Sequence, residues 1–221
     1  TLFIREERTV PLVAVRAVAQ GSLRYETPED NGISTLLARC LTRGAGALDA
    51  EAFTDALDRL SGSVGATAGR SSFSLRGDFL ARHFDRSFEL FASCLTGPHF
   101  AAREFEREQG LLLQDIHTRL DKPSQIAFDL FGKALWSAHP YRLHPHGEEA
   151  SVRALTPAAL ADFHGAWLRP ERLTLSVVGD VDAEHVLEIV ERFLPRREGS
   201  APPAPTPVIE AGPHAPREVR Q

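Results

Sequence analysis

The chain has 221 residues, with 25 Lys and Arg against 30 Asp and Glu, a formal charge of -5 at pH 7 and a pI near 6.0. Gripping nucleic-acid phosphates takes a clustered excess of Lys and Arg, and no such cluster occurs, which excludes a nucleic-acid partner. No apolar run approaches the roughly 20 residues that cross a bilayer, and the opening TLFIREERTV lacks the basic start and apolar middle of a secretory signal, so the chain is expected to be soluble.

The length allows one domain with a full core, or one domain and an extension. There is no methionine, which reads as a piece excised from a longer protein whose targeting segment, if any, lay elsewhere. The compartment stays open; a bacterial cytoplasm or periplasm fits. Cys40 and Cys94 sit among apolar residues and are expected to be buried core thiols rather than a disulfide framework.

In chain order, TLFIREE and LVAVRAVAQGSL read as extended segments, the second Val-rich with partial alternation, and the turn formers ETPEDNG follow. Asn31–Gly46 reads as a short helix. A second helix is predicted over Ala50–Leu60, with Asp49 as its cap, Phe53, Leu57 and Leu60 on one face and Gly62 beyond its end. Strands are expected in GSVGATAGRSSFSLRGDF, then a helix with Phe84, Phe88, Phe91 and Leu95 on one stripe.

A long charged helix is predicted over Ala101–Leu120 and another over Pro123–Trp136, with Pro123 suited to a first turn. The loop SAHPYRLHPHGEEA leads to a helix over Pro157–Trp167, a strand in RLTLSVVGDVD and an amphipathic helix in AEHVLEIVERFL. This order predicts an α+β fold, a mostly antiparallel or mixed sheet covered by helices, over residues 1–195. From 196 to 221 the Pro/Ala-rich composition predicts a linker or tail towards a missing second domain.

Within NGISTLLARCLTRGAG, residues Ile33, Leu36, Leu37, Cys40 and Leu41 form an apolar stripe, and Thr35, Ala38 and Arg39 fall on the other face. Thr35 and Arg39 stand one helical turn apart, the spacing at which two histidines share a zinc ion. GSLRYETPEDNGISTLLARCLTRGAG resembles the N-terminal signature of the pitrilysin, insulinase and mitochondrial-processing-peptidase family of metallopeptidases. In that family a turn ending in Asn-Gly enters a helix bearing the inverted zinc motif H-x-x-E-H. LDRLSGSVGATAGRSSFSL, EFEREQGLLLQDI and the stretch from HPYRLHPHG to LSVVGDVD resemble later family segments in the same order.

The resemblance places the first zinc histidine on Thr35, the general-base glutamate on Ala38, the second histidine on Arg39, the third ligand on Asp115 and a supporting glutamate on Glu108. Arg39 offers no lone pair and Ala38 cannot take a proton from water, so no catalytic residue, metal ligand or cofactor is expected in this domain. The zinc is expected in an active partner. Arg39 either pairs with Asp115 or Glu108, freed of a metal, or points to solvent. The resemblance also makes VGATAG an edge strand that accepts an extended peptide, with Gly65 and Ala66 at the family's Asn-Ala step; an ordinary strand of small residues is the other reading.

His139, His144 and His146 crowd one loop, which prolines at 140 and 145 restrict; a structural or surface role is favoured there over metal binding, and His117 reads as a helix-surface histidine. Taken with the resemblance, these residues imply a catalytically inactive zinc-peptidase-like domain. It would pair with an active, zinc-bearing homologous domain or subunit, in cis or in trans, and help hold peptide substrate. The alternatives are a purely structural core-type subunit and an enzyme acting through the histidine loop.

Overall fold

The computed structural model describes residues 1–196, 202–206 and 208, so most of the expected tail lies outside the described residues. Strands β1 (Leu2–Glu6), β2 (Leu12–Gln20), β3 (Ser63–Ala68), β4 (Ser72–Leu80) and β5 (Thr174–Gly179) form one five-stranded sheet in the order β1-β5-β2-β4-β3. Only β1 and β5 run parallel; the other pairs are antiparallel. The helices are α1 (Ile33–Cys40), α2 (Ala50–Arg59), α3 (Phe84–Thr96), α4 (Ala102–Leu120), α5 (Pro123–Leu135), α6 (Glu149–Ala154), α7 (Pro157–Trp167) and α8 (Ala183–Phe193). The α+β fold with a mixed sheet agrees with the sequence reading.

Strand alternation decides which face of the sheet is covered. Val13, Val15, Ala17 and Ala19 of β2, Phe73, Leu75 and Phe79 of β4, and Leu175 and Val177 of β5 are buried against Phe88, Phe91 and Leu95 of α3 and Val186 and Ile189 of α8. Phe79 meets Phe91 edge to face, with ring centroids 6.4 Å apart. The intervening residues, among them Arg16, Arg76 and Asp78, turn to the opposite face and remain at least partly exposed.

Local chemistry sets the helix starts. Asp49 accepts from the Ala52 N–H at 2.9 Å, Thr156 caps α7 with Pro157 behind it, and the Asp182 carboxylate accepts from the N–H groups of Glu184 and His185. Two expectations are corrected. Helix α1 stops at Cys40, short of Gly46, because the chain turns off through Gly44 and Gly46 at φ of 102° and 61°. Helix α6 lies where a loop is expected; at 6 residues it is too short to show a periodicity.

Helix α5 has no buried residue, and Phe128 and Phe131 are 72% and 63% exposed. Among the described residues no helix is long and apolar enough to cross a membrane. The thiols of Cys40 and Cys94 are free and buried.

Candidate functional site

Helix α1 starts at Gly32, at φ 98°, which has no side chain to cap the helix's first N–H groups. Glu26 takes that role from the preceding turn. Its Oε2 accepts from the Gly32 N–H and the Asn31 side-chain amide, both at 2.8 Å, and its Oε1 accepts from the Ser34 N–H at 3.1 Å. A carboxylate suits the positive end of a helix. Burial nonetheless pushes the Glu26 carboxyl above the usual range, against the hydrogen bonds from Gly32, Ser34 and Asn31.

The same entry fastens the histidine loop. The Asn31 amide also donates to the His144 carbonyl at 3.0 Å, and the Asn31 carbonyl accepts from the Ser151 hydroxyl at 2.8 Å. Gly147, at φ 79°, closes the contact: a Cβ there would stand 2.4 Å from the Asn31 carbonyl oxygen and 2.8 Å from a Val152 methyl.

Helix α4 lies against α1 and brings the later candidates to it. A terminal guanidinium nitrogen of Arg39 donates to Asp115 Oδ2 at 2.5 Å, with the two side chains 24% and 51% exposed. Glu108 is not Arg39's partner. It receives Arg43 Nε at 2.8 Å, and its side chain is only 4% exposed. Thr35 donates its hydroxyl to the Pro145 carbonyl at 2.6 Å. Ala38, expected on the outer face, is instead 6% exposed, because α1 is enclosed by α4 and α7 as well as by β3.

As zinc donors these residues do not fit. The Thr35 hydroxyl is engaged, Ala38 has no donor, the Arg39 guanidinium has no lone pair, and the Asp115 carboxylate is bound to that guanidinium. Among the described residues no group of three or more His, Cys, Asp and Glu side chains is arranged to hold a metal ion.

The loop histidines are committed locally. His139 Nδ1 accepts from the Tyr141 N–H at 3.1 Å, and its ring lies 4.8 Å from that of Trp136. His144 Nδ1 accepts from the His146 N–H at 3.0 Å, and its Nε2 lies 3.9 Å from Asp129. Burial, with Arg119, His146, Arg70 and Lys133 around it, holds His144 down to about 3, so a neutral N–H rather than a cation faces Asp129. His146 is lowered by burial and by Arg39 and Arg119, with Asp115 opposing. Arg119, 6% exposed, lies 3.5 Å from Asp129 and 3.7 Å from Glu148. His117, on the surface, meets Glu149 at 3.0 Å.

Strand β3 is an edge of the sheet, paired with β4 alone. The bond from the Gly69 N–H to the Ser72 carbonyl fixes the phase of this ladder. By antiparallel alternation Ser63, Gly65 and Thr67 bond to β4, while Val64, Ala66 and Ala68 turn their backbone groups outward. The sequence reading missed Glu26, Arg43 and Arg119. Of these only Glu26 left a trace, an acidic residue just ahead of a helix whose cap position is glycine.

A family model described as insulinase (peptidase family M16) matches residues 5–147, and one described as the peptidase M16 inactive domain matches residues 154–221. An uncharacterized zinc protease of Bacillus subtilis, YmxG, is 23% identical over 192 residues, covering 87% of the chain and 47% of the relative. Another, from Mycobacterium leprae, is 26% identical over 215 residues, covering 93% and 48%. The chain thus spans about half the length of these relatives. The crystal structure of a Helicobacter pylori protease superposes with a TM-score of 0.82 at 21% identity, covering 95% of this chain and 51% of that one. That of a Pseudomonas fluorescens peptidase M16 inactive domain gives 0.83 at 22%, covering 94% and 51%. At these identities the structural likeness establishes the fold.

Proposed function

The chain belongs to the insulinase family of peptidases, family M16, and from that premise we propose that it is a catalytically silent peptidase-fold unit, one that pairs with a zinc-bearing homologous unit and helps hold the peptide that unit cleaves. The observation that carries this is the Arg39–Asp115 pair. At the positions that the family resemblance assigns to the metal, a fixed positive charge stands against the one remaining carboxylate. Ala38, buried beside them, offers no base to activate water.

Peptide holding rests on the open edge of β3. Outward backbone groups of Val64, Ala66 and Ala68 can extend the sheet by one strand, and main-chain pairing gives affinity without demanding a sequence. Pairing with a second unit is supported by α5, whose Phe128 and Phe131 expose more apolar surface than an isolated unit has use for. The partner lies in the same polypeptide or in a separate one, and the relatives' greater length suits the first arrangement.

The test is a peptidase assay on the chain alone and after adding a zinc-bearing homologous unit. Cleavage is expected only in the mixture, and Phe128→Ser with Phe131→Ser should abolish it. Stable assembly without hydrolysis of any peptide would favour a purely structural subunit. Cleavage by the chain alone would overturn the proposal.

A further inference from the structure

Resting on the reading of β3 as a peptide-accepting edge, we infer that Arg76 selects an acidic side chain in the bound segment, at the residue lying opposite Gly65. In the β3/β4 register Gly65 faces Arg76, and directly opposed residues of an antiparallel pair project on the same face. Gly65 has no side chain to fill its place on that face, and Arg76 fills it. A Cβ built at Gly65 would stand 3.3 Å from Arg76 Nε and 3.9 Å from one of its terminal nitrogens. The guanidinium therefore lies across the glycine, toward the unpaired side of the sheet.

Arg76 makes no ion pair or hydrogen bond among the described residues, so its donors are available. The groups flanking it on the same face are neutral or already matched. Along the strands Thr67 faces Ser74 on one side and Ser63 faces Asp78 on the other, and Arg16, directly opposite Arg76 on β2, is matched by the Asp78 carboxylate at 3.0 Å. A strand added along Val64, Ala66 and Ala68 would set one side chain opposite Gly65, directly beside the guanidinium. A carboxylate there accepts charge-assisted hydrogen bonds from a planar donor already in position, and an ammonium is repelled. The occupant is thus an extended peptide with an Asp or Glu at that residue.

The probes are fluorescein-labelled, strand-length peptides identical except for a single Asp, Ser or Lys stepped along the sequence, titrated with the full chain and followed by anisotropy. At one position Asp is expected to bind about 2–5-fold tighter than Ser, the size of a cross-strand charge pair near the surface, and Lys weaker than both. Arg76→Ser should erase that difference while keeping the affinity for the Ser peptide, and Arg76→Glu should reverse it in favour of Lys. Ala66→Pro removes an outward N–H without touching the β4 ladder and should abolish binding of every peptide. Equal affinities for Asp, Ser and Lys, with binding still lost in Ala66→Pro, would overturn selection by Arg76 and leave the docking edge standing. Absence of binding, binding indifferent to Ala66→Pro, or a dimer of the chain that Ala66→Pro dissolves would overturn the docking reading and this inference together.

Discussion

Replacing Arg43 by Met removes the charge that, among the described residues, pairs with a deeply buried carboxylate. Glu108 is 4% exposed and receives Arg43 Nε at 2.8 Å. Two unit charges about 4 Å apart interact by about 4 kcal/mol at an effective dielectric of 20, and removing one partner of a buried pair costs about 3–5 kcal/mol because the other stays desolvated. The Arg43 side chain is 36% exposed, so water can enter where the guanidinium was, and the expected loss lies lower, at about 2–3 kcal/mol. Urea unfolding followed by circular dichroism at pH 7 measures it. Arg43→Met combined with Glu108→Leu should recover most of the loss, since an apolar pair of similar volume needs no counter-charge. A single-variant loss below about 1 kcal/mol, or a double variant no better than the single, would refute the view that Arg43 neutralises a buried charge.

Arg39→Met should cost no more than about 1 kcal/mol in the same assay, because Asp115 is 51% exposed and water replaces the guanidinium. Gly147→Ala should lower stability by about 2–3 kcal/mol, read as a fall in Tm, because the new methyl group meets the Asn31 carbonyl at a backbone angle of φ 79°. His144 is held at about 3 in the fold, below its ordinary 6.5. The unfolded chain therefore takes up that proton first, and the contribution of neutral His144 is complete above pH 6.5 and lost as pH falls from 6.5 toward 3. Urea midpoints across this window should decline more steeply in wild type than in His144→Asn.

The apolar stripe of α1, the alternation of β2 and the capping of α2 were legible in the sequence because each is a local pattern read over a few residues. Ala38 was misplaced for an instructive reason. A stripe argument assumes that a helix packs on one side, and α1 is enclosed by α4 and α7 as well as by β3. Glu108 was read as a possible partner of Arg39, but its burial was illegible, as were Arg43 and Arg119 altogether, since a charged residue reads as solvated until another element covers it. The reverse holds for α5: its helix was correctly placed, and an apolar composition that normally means burial is left exposed at Phe128 and Phe131. The reach of Arg76 across Gly65 depends on strand register, which fixes two residues from opposite arms of a hairpin on one face.

We propose that this chain holds no zinc, because Arg39 stands at the position that the family resemblance assigns to a ligand. Metal analysis of the purified chain after dialysis without chelator tests it most directly. Zinc well below one equivalent per chain is the predicted result, unchanged by Arg39→Met. About one zinc per chain, retained through dialysis, would contradict the account and direct the search for its ligands to the loop from His139 to His146.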